Sequence, residues 1–126
     1  MDLAKTRILT DNVAGLASFY AALVGVDVVT NDYYVEVKTP TAVVAFSRRQ
    51  FIELNASGAP LSSMPSDTVI LDFLVDDVDR HYERVNRLGV AWINAPTTQP
   101  WGNRSMMFRD PDGNLVNLFS FGAGLM

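Results

Sequence analysis

Ile8-Leu9-Thr10-Asp11-Asn12-Val13 is answered, sixty-five positions later, by Phe73-Leu74-Val75-Asp76-Asp77-Val78. Each is an apolar run closed by two short polar residues, and self-similarity at a fixed offset marks two copies of one structural unit. After the first copy come Val13, Leu16, Phe19, Tyr20 and Leu23, and after the second Val78, Tyr82, Val85 and Leu88. Both sets have the spacing of one buried helix face. Asn12 and Asp77 stand where helix caps belong, with side-chain oxygens able to accept from the unpaired amides of the first turn. Gly25 and Gly89 suit the left-handed position that closes a helix.

Valine-rich and aromatic text follows each helix. In the first copy the expected strands are Asp27 to Thr30, Tyr33 to Lys38 and Thr41 to Arg48. In the second they are Val90 to Asn94, Arg104 to Arg109 and Asn114 to Ser120, with Asp110-Pro111-Asp112-Gly113 as the turn between the last two. A Ser-, Pro- and Gly-rich stretch separates the halves. The organisation reads as a first βαβββ module over 1–54, a linker over 55–67 and a second βαβββ module over 68–126, an α+β chain forming one structural domain.

Composition narrows the partners. The 126 residues are 48% hydrophobic and 19% charged, enough for a packed core. A net charge of -4 without a basic run argues against nucleic acid and anionic membranes, because phosphate binding needs a basic surface. A small-molecule ligand is expected, and the acidic balance suits a cationic one. With no cysteine, disulfides, thiolate nucleophiles and sulfur-ligated zinc are excluded. The opening MDLAKTRILTD lacks the apolar core of a secretory leader, and no apolar run is long enough to span a bilayer. The expected location is therefore the cytoplasm.

The segment Phe108-Arg109-Asp110-Pro111-Asp112-Gly113-Asn114-Leu115-Val116-Asn117-Leu118, with Asp11-Asn12-Val13 through Phe19-Tyr20, resembles the closing hairpin and opening helix of the vicinal-oxygen-chelate superfamily. That superfamily includes glyoxalase I, bleomycin-resistance proteins and extradiol dioxygenases. The resemblance covers nearly the whole chain, and Trp101-Gly102 is similar to the antibiotic-binding branch. It implies paired modules whose strands form an open, curved mixed sheet around a cavity, in a homodimer that often exchanges modules between chains.

Metal-dependent members of that superfamily hold a divalent ion with four histidine, glutamate or glutamine side chains, two per module. The resemblance places those positions near Lys5, Val44, Ile70 and Asn117. An ammonium and two aliphatic chains cannot coordinate, and one amide oxygen is a weak ligand. The expectation is a protein with no metal and no cofactor. His81, the single histidine, reads as a half-buried helix residue. Asp76, Asp77 and Asp79 lack the spacing of a calcium loop and read as capping and helix-dipole charges.

Alternation assigns the strand faces. Leu71, Phe73 and Val75 should meet the helix, leaving Ile70, Asp72 and Leu74 toward the cavity; Ile8 meets its helix, leaving Lys5, Arg7 and Leu9. Arg7 and Asp72 are repeat-equivalent, and are read either as a ligand-contacting pair on the cavity floor or as an ion pair that no ligand touches. In the last strand Val116 and Leu118 share one face, and Leu115, Asn117 and Phe119 the other. The expected ligand-binding residues are Arg7, Tyr34, Phe46, Asp72, Trp92, Trp101, Met107 and Asn117, with Tyr33 and Met106 nearby. Flat rings with polar edges stack well on planar ligands. Strand aromatics are most often plain core, and Trp101 reads as pocket or dimer interface.

The favoured function is metal-independent sequestration of a small planar or peptide-like molecule, antibiotic resistance being one outcome. The alternative is a metal-free isomerase, cyclase or lyase in which Asp72 or Glu36 supplies the base, with Arg7 as a further candidate. A metal-dependent glyoxalase or dioxygenase is the less favoured third reading, and a domain whose cavity is simply filled is the fourth.

Overall fold

A computed structural model describes residues 1–55 and 67–121. The chain divides into two compact units, Met1–Met64 and Pro65–Met126. The proposed linker over 55–67 falls almost wholly outside the described residues.

The first unit runs β1 (Thr6–Thr10), α1 (Val13–Val24), β2 (Tyr34–Lys38), β3 (Val43–Arg48) and α2 (Arg49–Asn55). Its strands form a sheet in the order β1-β3-β2. β1 lies parallel to β3, with Ile8 opposite Phe46, and β2 lies antiparallel to β3, with Val35 opposite Phe46. A parallel neighbour demands a crossover, and α1 is its helical part. It buries Val13, Leu16, Ala17, Phe19, Tyr20, Ala21 and Leu23, which includes the whole stripe expected from the spacing. The Tyr20 ring stacks on Phe46 at 5.1 Å between centroids, and both side chains are fully buried.

The ends of α1 explain its limits. Asn12 Oδ1 accepts from the Gly15 amide at 3.0 Å. A Cβ at position 15 would run into that Asn12 amide, so the cap accounts for a glycine inside a helix. Gly25 closes the helix at φ 79°, where a side chain would be strained.

The second unit runs β4 (Ile70–Leu74), α3 (Val78–Asn86), β5 (Ala91–Thr98), β6 (Arg104–Arg109) and β7 (Leu115–Ser120). Its sheet order is β4-β7-β6-β5, with β4 parallel to β7 and the remaining neighbours antiparallel. Asp77 caps α3 by accepting from the Asp79 amide. Arg104 grips Asp79 through two hydrogen bonds of 2.6 and 2.9 Å, a fork geometry that ties β6 to the first turn of α3. The β6–β7 turn is organised by Asp110, which is 5% exposed. Its carboxylate accepts from the amides of Asp112 and Asn114 and from the Asn114 side chain, all at 2.9 Å.

The α+β class and the two-module order therefore stand, with two departures in the first unit. Asp27–Thr30 joins no ladder, and Val29 is 94% exposed. Its two valines are adjacent rather than alternating, with Val28 half-buried and Val29 in the open, so no face forms and it runs as irregular chain where β5 sits in the second unit. The tail of the first module also forms α2, anchored where Arg49 Nη2 donates to the Leu9 carbonyl. No helix among the described residues is long and apolar enough to cross a membrane.

Replacing Phe46 by alanine removes the partner of Tyr20 from a filled site. The expected cost is about 3–5 kcal/mol of folding stability, measurable by denaturant unfolding; a loss below about 1 kcal/mol would contradict the assignment of Phe46 to the core.

Candidate functional site

Each sheet has one face against its helix and one turned away, and alternation along the strands decides what the second face carries. In the first unit Arg7, Ala45 and Glu36 are cross-strand neighbours in one row, and Leu9, Ser47 and Tyr34 in the next. Val35 and Phe46 are buried with α1, so these two rows occupy the opposite face.

On this face lies an open pocket of about 280 Å³ lined by Arg7, Tyr33, Tyr34, Ser47, Arg48 and Ile52. Its tyrosines are placed by Asn31, whose Oδ1 accepts from the Tyr33 and Tyr34 amides at 3.0 and 2.8 Å. The Arg48 amide donates to the Tyr33 carbonyl at 3.0 Å, holding the approach to β2 against the end of β3. Among the described residues two arginines and no carboxylate line the pocket, so the charged side chains of its lining are opposite in sign to the net charge of the chain. The inference from net charge to a cationic ligand fails here, because field at a site follows the nearest groups rather than the total.

Beside the pocket Glu36 is fully engaged. Tyr34 Oη donates to its carboxylate at 2.6 Å, and Lys5 Nζ donates to Tyr34 Oη at 2.8 Å and to Glu36 at 3.3 Å. The Tyr34 hydrogen bond first, and then Lys5, hold the Glu36 carboxyl below the usual glutamate range; hydrogen bonds with Tyr34 and then Glu36 raise Lys5. A carboxylate so stabilised is a weakened proton acceptor.

In the second unit one row crosses the whole sheet: Asp72, Asn117, Met107 and Asn94. Asn117 Nδ2 donates to Asp72 Oδ1 at 2.9 Å, while Asn117 Oδ1 is buried without a hydrogen-bond partner among the described residues. Asp72, Met107 and Asn117 are thus brought together, in the unit that does not contain Arg7 and Tyr34.

Two expected ligand contacts belong to the packed side. Phe46 is fully buried against Tyr20. Trp92 lies 5.1 Å from Tyr82 and 5.5 Å from Phe108, and its Nε1 donates to Asn86 at the end of α3 at 2.9 Å. A β-bulge between Trp92 and Asn94 turns Asn94, not the indole, to the other face. Trp101, 69% exposed, sits in the turn closed by the Gly102 amide on the Gln99 carbonyl. Ser47, Arg48 and Ile52 were not anticipated as site residues. With Phe46 placed in the core, alternation along β3 turns Ser47 to the open face, whereas Ile52 depends on α2, a helix over residues to which the sequence reading assigns no element.

The profile of the Glyoxalase/Bleomycin resistance protein/Dioxygenase superfamily matches residues 2–118. This chain belongs to that superfamily. Uncharacterized protein YraH of Bacillus subtilis (strain 168) is 27% identical over 125 residues, covering 94% of this chain and 98% of its own length. A glyoxalase/bleomycin resistance protein/dioxygenase family enzyme of Burkholderia phytofirmans PsJN superposes with a TM-score of 0.80 at 20% identity, covering 95% of this chain and 98% of its own. A lactoylglutathione lyase of Agrobacterium tumefaciens gives 0.68 at 20% identity, covering 94% and 92%. At these identities the two structures establish a shared fold.

The metal positions of the superfamily can be placed on the strand register. Asn117 pairs with Asp72, two residues beyond Ile70, and the equivalent residue beyond Lys5 is Arg7, which pairs with Ala45. The first-unit position is therefore Ala45 rather than Val44, whose side chain lies on the face that packs with Phe46. Neither residue carries a donor atom, Lys5 spends its ammonium on Tyr34 and Glu36, and Ile70 has none. Among the described residues no three or more His, Asp or Glu side chains converge. The residues at these positions do not fit the superfamily's metal.

The Lys5–Tyr34–Glu36 network has a defined pH signature. Because the folded value of Glu36 lies below the unfolded one, its contribution is complete above the ordinary glutamate range and disappears as pH falls through the lowered value. Glu36→Gln should lower the Tm at neutral pH, with the gap to the parent closing in strong acid. Thermal melts across that range test this, and a gap that does not change with pH would contradict it.

Proposed function

We propose that this protein binds a small planar or peptide-like molecule without a metal and holds it unchanged. The observation that carries the reading is the ring-walled pocket of the first unit, in which Tyr33, Tyr34 and Ile52 offer apolar surface beside polar Arg7, Arg48 and Ser47. Few, well-placed polar groups among apolar walls are the usual composition of a ligand site. Two further features favour holding over turnover. The positions of the superfamily's metal ligands carry Lys5, Ala45, Ile70 and Asn117, and the carboxylates nearest these positions, Glu36 and Asp72, already accept hydrogen bonds from Tyr34 and Asn117.

In this reading the chain acts stoichiometrically, as a cytoplasmic homodimer, and resistance follows where the captured molecule is an antibiotic. Exposed Ile93 and Trp101 at 49% and 69%, together with the unpaired outer edges of β4 and β5, support a partner surface. Asp72, Asn117, Met107 and Trp101 would then serve as secondary contacts.

A panel of planar compounds and glycopeptide antibiotics, titrated while the amide resonances of Tyr33, Tyr34, Ser47 and Arg48 are followed, tests the proposal. Saturable shifts with every compound recovered at its original mass, from a protein that scatters light as two chains, are expected. A changed mass would make it an enzyme, and shifts confined to other residues would move the site.

A further inference from the structure

We propose that the pocket of the first unit takes the oxyanion of a planar ligand, with Arg7 as counter-ion and the Ser47 hydroxyl as neutral donor. The inference rests on the binding reading above and adds the chemical class of the ligand.

Arg7 stands exposed on the open sheet face and makes no ion pair or hydrogen bond among the described residues. The carboxylate in its own cross-strand row, Glu36, is separated from it by Ala45. That carboxylate is taken up from the other side by Tyr34 at 2.6 Å, Lys5 at 3.3 Å and Lys38 at 3.8 Å. Among the described residues nothing compensates the guanidinium's charge at the pocket, in a chain whose total charge is negative. Its planar fork of donors matches a carboxylate or phosphate at two points, which a lone ammonium does not.

Ser47 is the independent observation. It lines the same pocket and is only 3% exposed, yet its Oγ finds no hydrogen-bond partner among the described residues. Buried hydroxyls are nearly always paired, and an orphan at a pocket floor is a donor left for a ligand or a water to satisfy. Ser47 lies on the strand next to Arg7 and on the same face, two residues on from Ala45, the cross-strand partner of Arg7. One ligand acid group can then meet the guanidinium and the hydroxyl together. Tyr33, 59% exposed, and the Tyr34 and Ile52 side chains leave apolar surface beside them for the ring. No carboxylate in the lining opposes an anion.

Benzoate, phenyl phosphate and benzamide separate the possibilities, because they share a ring and differ in charge. Titrations followed at the Tyr33, Tyr34, Ser47 and Arg48 amides should show at least one anion binding about tenfold more tightly than benzamide, and the tighter anion identifies carboxylate or phosphate as the source. Arg7→Gln should bring the anion and benzamide to within about twofold of each other. Arg7→Lys should restore part of the preference, and Ser47→Ala should weaken the anion more than benzamide. Benzamide binding as tightly as both anions would overturn this inference while leaving the binding reading intact. No shift at these amides with any member of the wider planar panel would overturn the reading beneath it.

Discussion

The parallel pairing of the first strand of each unit with its last strand is the constraint on which the rest depends. β1 cannot reach its place beside β3, nor β4 its place beside β7, without a crossover. The helix in that crossover covers one face of the sheet. Burial then sorts the side chains by parity: Phe46 and Val35 go with Tyr20 in the first unit, and Phe108 with Tyr82 and Trp92 in the second. What remains on the opposite face is released from core packing and free to carry polar chemistry. Arg7, Glu36 and Tyr34 in one unit, and Asp72, Asn117 and Asn94 in the other, are there for that reason.

The same rows lack the donor set that the superfamily's metal requires. A divalent ion needs convergent lone pairs, and at the corresponding positions this chain presents an ammonium, a methyl, a branched aliphatic chain and an amide. The polar groups that are present pair with one another, Glu36 with Tyr34 and Lys5, Asp72 with Asn117. Arg7 and Ser47 stand apart from that pattern. One carries charge and the other a buried hydroxyl, and neither finds a protein partner among the described residues. Arg7, with Arg48 in the same lining, gives an acidic chain a pocket whose described charged groups are basic.

Much of the fold was legible in the sequence because it rests on local physical signals. The repeat of Ile8–Val13 in Phe73–Val78 located both strand-to-helix junctions, and the helix stripes and the Asp110–Gly113 turn followed from spacing and side-chain chemistry. The misreadings came where local preference and tertiary context disagree. Asp27–Thr30 has strand-like residues without a neighbour to pair with, and Arg49–Asn55 forms a helix that docks on β1 through Arg49. Of the site, alternation located Arg7, Asp72 and Asn117 on the open faces, and Tyr34 and Met107, named for their side-chain chemistry, share those faces. It could not rule out Phe46 and Trp92: Phe46 depended on knowing which parity of β3 meets α1, and Trp92 on a bulge that no residue pattern announces.

The central claim is that ligands are held by the open face of the first sheet and not by the packed side of either sheet. Intermolecular nuclear Overhauser effects from the ring protons of bound benzoate measure this most directly. The account predicts contacts to the Tyr33, Tyr34 and Ile52 side chains and none to Phe46 or Trp92. Contacts to Phe46 or Trp92, with the tyrosines silent, would contradict it.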